Sequence, residues 1–188
     1  MALKRLTIDG YGQLEINSFV APRAGKIEAQ CKLSKEDFGK EAEVPVAEVG
    51  MLLAVDVATR TLRLPTEEMV ADFPVAINYS TEHMYDDRAN GLKNFYQTTE
   101  DYLPRMGYLT VGDKFHTNTI AYDDTEYTDD ETLKEALKGE GKVYGGISDI
   151  GAIKLTATKP EAGPVFLVVE SATMPDGQFA VKLHCIKE

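Results

Sequence analysis

The chain has no tryptophan, only two cysteines and only three histidines in 188 residues. Each scarcity removes a class of chemistry. Cys31 and Cys185 lie too far apart in sequence to define a disulfide framework, and both sit in alternating apolar stretches. They read as small buried hydrophobes in a reducing compartment. His83, His116 and His184 are isolated, with no His-x-x-x-His pair and no Cys-x-x-Cys to complete a zinc site. Paired carboxylates for glycoside hydrolysis work in a cleft walled by aromatics, and the lack of tryptophan weighs against one. No Gly-x-Ser-x-Gly elbow is present. Gly139, Gly141, Gly145 and Gly146 lack the spacing of a phosphate loop, and no helix start follows them, so they read as turn residues.

Positive charge is also in deficit, with a formal net charge of -11. Nucleic-acid affinity depends on Lys and Arg displacing phosphate counterions, so an acidic body disfavours nucleic acid and equally an anionic membrane surface. No stretch approaches the apolar length that spans a bilayer. The opening Met-Ala-Leu-Lys-Arg-Leu-Thr-Ile has no apolar core of a secretory signal, which leads us to expect synthesis and retention in cytoplasm. These absences together predict a protein that is not an enzyme and carries no cofactor and no metal.

What is present suffices for a folded body. A chain of this length buries roughly 70% of its unfolded surface without metal or disulfide, and no low-complexity tract or Ser/Gly/Pro linker divides it. Residues 1–26 hold Lys4, Arg5, Arg23 and Lys26 against Asp9 and Glu15, a local +2 that leaves -13 for the remainder. Leu6, Ile8, Leu14 and Ile16 alternate with polar residues around Asp9-Gly10-Tyr11-Gly12, the pattern of a hairpin or of two short strands. We therefore divide the chain into an N-terminal arm or hairpin at 1–25 and a β-rich body at 26–188, with an insertion at 81–106. In the body, Ile27, Ala29, Cys31 and Leu33 form one face of an alternating strand. Runs at 51–57, 61–64 and 75–79 follow as further strands, the first of them apolar enough to be buried.

Within 81–106, Tyr85, Ala89, Leu92, Phe95 and Tyr96 fall near helical spacing while Asn90-Gly91 signals a tight turn. These cues conflict, and the segment reads as an irregular insertion with a short helix. Its Tyr, Met and Arg content (Tyr85, Arg88, Tyr102 and Arg105 among them) suits an interface. Gly112-Asp113 turns into a β-forming run from Lys114 to Ile120. Thr128-Asp129-Asp130-Glu131 has capping-box spacing, which predicts a helix at about 129–138 burying Leu133, Ala136 and Leu137. The acids Asp123, Asp124, Glu126, Asp129, Asp130 and Glu131 lack the glycine and the terminal glutamate of a calcium loop, so they read as a solvated approach to that helix. Strands at 143–147, 153–157 and 165–169 follow. After a Met174-Pro175-Asp176-Gly177 turn, a last strand points Phe179, Val181, Leu183 and Cys185 inward and Gln178, Ala180, Lys182 and His184 outward. The pattern predicts a mainly β fold, a barrel- or sandwich-like domain with one short helix.

The stretch Gly107-Tyr108-Leu109-Thr110-Val111-Gly112-Asp113-Lys114-Phe115-His116-Thr117-Asn118-Thr119, a turn and Gly-Asp leading into a strand, resembles small phage head proteins. Together with the β-rich tail it makes the chain similar to the capsid decoration, or head-stabilisation, proteins of tailed bacteriophages. The resemblance covers about the C-terminal half. It implies a non-enzymatic virion protein on the capsid exterior, made in the host cytoplasm. Such a protein covers junctions between major capsid subunits and contacts copies of itself, often as a trimer, with an N-terminal arm adding to the shell. The residues this reading places at contacts are Lys4, Arg5, Leu6, Ile8, Leu14, Ile16, Tyr85, Arg88, Phe95, Tyr96, Tyr102 and Arg105. The same composition also suits a tail-tube, head-fibre or minor capsid protein, or a β-barrel that binds a carbohydrate or another ligand on tyrosine faces.

Overall fold

The computed structural model describes residues 2–80, 92–100, 103–139 and 141–188. Among the described residues strands hold 37% and helices 10%, so the fold is mainly β and sandwich-like with a short helix. In chain order the strands are β1 (Leu3–Arg5), β2 (Leu14–Ser18), β3 (Ile27–Glu28), β4 (Lys32–Leu33), β5 (Ala47–Glu48), β6 (Leu52–Asp56), β7 (Thr61–Arg63) and β8 (Val75–Asn78). They continue as β9 (Tyr96–Gln97), β10 (Met106–Tyr108), β11 (Lys114–Thr117), β12 (Ile120–Asp123), β13 (Tyr144–Gly146), β14 (Ile153–Thr156), β15 (Val165–Thr173) and β16 (Phe179–Lys187). Among the described residues the helices are α1 (Ala21–Ala24), α2 (Met69–Asp72) and α3 (Asp130–Ala136). Among the described residues, one sheet runs β1-β12-β14-β13-β15-β16-β11-β2 and a second runs β3-β10-β8-β6-β7-β4, with β5 and β9 forming a separate pair.

Burial explains why β6 is apolar from Leu52 to Val55. Leu52 enters one core with Phe115, Ile120, Phe166 and Leu183 from the eight-stranded sheet. Met51, Leu53 and Val55 enter a second core with Cys31, Leu33, Phe38 and Leu62. Ile77 and Ala76 of β8 divide in the same way. The six-stranded sheet is thus covered on both faces, and a strand covered on both faces loses the alternation that half-exposed strands keep.

The eight-stranded sheet is rolled. β11 and β12 stand far apart in the strand order, yet only Asn118 and Thr119 separate them in sequence. The β-forming run from Lys114 to Ile120 is therefore broken, contrary to a single strand. The cause is local bonding: the Thr117 hydroxyl donates to the Gln13 carbonyl (2.6 Å), the Thr119 amide donates back to Thr117 Oγ1 (3.0 Å), and the Thr119 hydroxyl donates to the Val49 carbonyl (2.5 Å). Threonine hydroxyls that satisfy backbone groups in this way offer the chain an alternative to the ladder.

Three other expectations need correction. Residues 27–33 are two strands, not one. β3 pairs with β10 and β4 with β7, the chain kinking between them as the Gln30 amide donates to Glu28, and Ile27 and Ala29 end exposed. The helix cap lies one residue later than the Thr128/Glu131 spacing. Asp129 Oδ1 accepts from the Thr132 amide (2.8 Å) and Thr132 Oγ1 accepts from the Asp129 amide (3.0 Å), a short hydroxyl taking the part expected of Glu131. Ala180 is fully buried although its neighbours on the same face, Lys182 and His184, are not. Elsewhere β16 buries Val181, Leu183 and Cys185, and α3 buries Leu133 with Ala136 and Leu137 packed at the margin.

The N-terminal residues form two short strands but no hairpin. β1 pairs with β12 and β2 with β11, so each lengthens a different end of the rolled sheet. Of the 81–106 segment, Tyr85, Arg88 and Tyr102 lie outside the described residues. Its described parts are a 3-10 turn (Leu92–Asn94), β9, and the start of β10, which is an internal strand of the six-stranded sheet.

Candidate functional site

His116 Nδ1 lies 3.9 Å from Glu15 Oε2, and His184 stands two residues along the neighbouring strand, in register with Lys114. Among the described residues no three His, Cys, Asp or Glu side chains group so as to hold a metal ion. Burial pushes the Cys185 thiol up to about 11, and burial followed by the nearby Glu28 does the same for Cys31. Neither forms the thiolate that reactivity needs.

The acidic loop is committed to structure. Asp123 accepts from the Thr125 amide and hydroxyl, Asp129 caps α3, and Asp130 accepts from the Tyr122 hydroxyl (2.7 Å) and the Thr7 amide (3.0 Å). The bonds from Thr125 hold the Asp123 carboxyl below the usual range, and those from Thr132 do the same for Asp129. For Asp130 burial works the other way, but the bonds from Tyr122 and Thr7 outweigh it. Depressed folded-state values mean that the stabilisation is complete above the unfolded carboxylate value of about 4 and is lost as pH falls through the lower folded values. Thermal melts should accordingly be flat from about pH 7 to 5 and fall steeply below pH 4. A melting temperature unchanged at pH 3 would refute the role given to these acids.

The residues expected at contacts divide sharply. Lys4 Nζ donates to the Thr128 carbonyl (2.9 Å), and the Arg5 guanidinium makes a two-pronged pair with Glu48 (2.8 and 3.2 Å). Glu48 also accepts from the Gly12 amide (2.6 Å), and Asn118 Oδ1 accepts from the Gln13 amide (2.7 Å). Leu6 and Leu14 are buried, and Ile8 packs against the same core. Phe95 likewise packs there, while the Arg105 amide donates to Ser80 Oγ (2.8 Å). Of those that are described, only Ile16 (39% exposed) and Tyr96 (42% exposed) present large apolar area to solvent. Tyr96 stacks at a tilt on Tyr11, ring centroids 4.4 Å apart, beside a cavity of about 510 Å³ that Phe38, Pro45 and Val46 help to line.

A surface that sequence reasoning missed lies between β2 and β3. β2 is an edge of the eight-stranded sheet and β3 an edge of the six-stranded one, and residues 19–26 join them directly. Val20, Ile27 and Val111 (56% exposed) stand out on this side with Ile16. The 110–113 turn is bound to it: Asp113 accepts from the amides of Val20 (2.9 Å) and Thr110 (2.7 Å), and Lys26 Nζ reaches Thr110 Oγ1 (3.3 Å). A groove of about 710 Å³ continues from Lys26 past Tyr108, Leu109, Val75, Pro74 and Pro164. Arg23 and Lys26 lie in the segment that joins the two edges, and Glu28 lies in β3. Only their placement at element ends, where alternation stops, marks these valines and Ile27 in the sequence.

Comparison with protein-family models, curated proteins and solved structures finds no match. The surface alone carries the functional argument. Among the described residues no helix is long and apolar enough to cross a membrane.

Proposed function

We propose that this chain is a non-enzymatic structural protein of a tailed-phage virion, one that stabilises the capsid shell by covering junctions between major capsid subunits. The observation that carries the reading is the patch of Ile16, Val20, Ile27 and Val111, four of the seven large apolar side chains that stand exposed among the described residues, gathered where two sheet edges meet. Large apolar side chains left exposed along sheet edges and the segments tied to them are what contact with another macromolecule would cover. Weak contacts repeated on a symmetric lattice add up to avidity without any reactive group. A net charge of -11 suits the exterior of a shell, away from packaged DNA.

Pelleting with empty heads that lack the chain tests this. The wild-type chain should sediment with the heads, and Ile27→Asp combined with Val111→Asp should stay in the supernatant while melting normally, because both positions are exposed. A wild-type chain left in the supernatant would sink the proposal.

A second reading rests on the Tyr11–Tyr96 pair and its cavity, which offer an aromatic platform for a sugar or another small ligand. Saturable binding from a glycan panel, abolished by Tyr96→Ala, together with no affinity for heads, would favour it.

A further inference from the structure

We propose that β2 is a self-association seam, at which two copies of this chain pair antiparallel about a twofold axis near Ile16, joining their eight-stranded sheets edge to edge. The inference rests on the structural-protein reading and assigns the occupant of one part of the same side.

Among the described residues β1 and β2 are the two end strands of the eight-stranded sheet, and they differ. β1 has three residues, two of them Lys4 and Arg5, which is how natural sheets blunt an edge. β2 has five residues, Leu-Glu-Ile-Asn-Ser, with no Lys, Arg or Pro, and four of the five are exposed. Ile16 is opposite Phe115, and Phe115 is only 1% exposed, so Ile16 lies on the core-facing side of the sheet. It stays open because β2 is the last strand. A further strand laid along β2 would cover it, and backbone pairing at such an edge needs no groove.

Charge selects the second copy and its direction. On the outer face Glu15 is in register with His116, and Lys114 is in register with Ser18 at the far end of β2, after a bulge at Asn17 that keeps Ser18 on that face. One end of the strand therefore carries an acid and the other end has a base beside it. Antiparallel twofold pairing brings Glu15 of each copy alongside Ser18 of the other. Two strand spacings of roughly 4.8 Å then separate Glu15 from Lys114 of the second copy, a gap these long side chains close. The symmetry makes the contact twice. Parallel pairing would instead set Glu15 beside Glu15.

The test is sedimentation equilibrium of the full chain alone. The wild type should form a dimer. Glu15→Lys and Lys114→Glu should each raise the dissociation constant by about tenfold or more, two exposed ion pairs being lost and replaced by repulsion. The double charge swap should restore the wild-type value, an outcome that a general loss of folding does not produce. Ile16→Cys, oxidised with diamide, should cross-link across the axis, because Cys31 and Cys185 are buried and do not compete. A wild type that remains monomeric at millimolar concentration would overturn the seam, as would a dimer indifferent to all three charge variants. Pelleting with heads is read separately. Monomers that still bind heads would defeat the seam and leave the structural role standing, whereas dimers that ignore heads would do the reverse.

Discussion

Deleting residues 2–20 is expected to leave a chain that does not fold. That outcome opposes the behaviour of a detachable arm, which the alternating, locally basic N-terminus suggested. β1 and β2 are strands of the main sheet, and Leu6, Leu14 and Phe19 are all less than 8% exposed. Burying a large apolar side chain contributes about 1.5–3 kcal/mol, so three of them amount to roughly 5–9 kcal/mol. The whole stability of a domain is only about 5–15 kcal/mol. The deletion also strips the cover from Tyr79, whose ring meets Phe19 edge-on with centroids 5.6 Å apart, and removes the Gln13 carbonyl that the buried Thr117 hydroxyl uses. Far-UV circular dichroism and the soluble yield of a 21–188 fragment decide the matter. A cooperative melt near that of the full chain would restore the arm and refute the integrated sheet. If the fragment fails, attachment must be tested with point variants on the exposed side.

Alternation marks a strand with one face in a core, and it located β14 and the inward residues of β16. An uninterrupted apolar run marked β6, and acid-rich capping chemistry marked α3. Alternation does not say what the strand pairs with. Leu6, Leu14 and Ile16 would show the same pattern whether their backbone bonds were made to β11 and β12 of the same chain or to a neighbour, because both use identical groups at identical spacing. The partners lie about a hundred residues away, beyond any local signal. Ile27 failed for another reason: the kink after β3 depends on side-chain bonds that residue type alone does not reveal. The exposed side chains were hidden because they are contributed singly by two edge strands, a helix approach and a turn. What joins them is the Asp113 carboxylate, which is buried and accepts from two loops at once.

The corner where β11 becomes β12 should tolerate little change, and Gly50→Ala should show it. Gly50 has φ +85°, a conformation that strains any L side chain. A Cβ there would stand 2.7 Å from both the Thr117 and the Thr119 hydroxyl oxygens and 3.0 Å from Thr119 Cβ. Those hydroxyls are already bonded to the carbonyls of Gln13 and Val49, which tie the N-terminal segment and the six-stranded sheet to the corner. Pushing either aside leaves a buried polar group unsatisfied, at a cost of about 1–3 kcal/mol each on top of the backbone strain. We expect a loss of about 3–5 kcal/mol in urea unfolding. Gly177→Ala supplies the comparison, because Gly177 has nearly the same φ, +88°, with nothing within 4 Å of the added Cβ. It should lose only about 1 kcal/mol, the strain without the collision. If the two variants unfold alike, the hydroxyls at the corner yield freely, and the junction between the sheets is not held by Thr117 and Thr119.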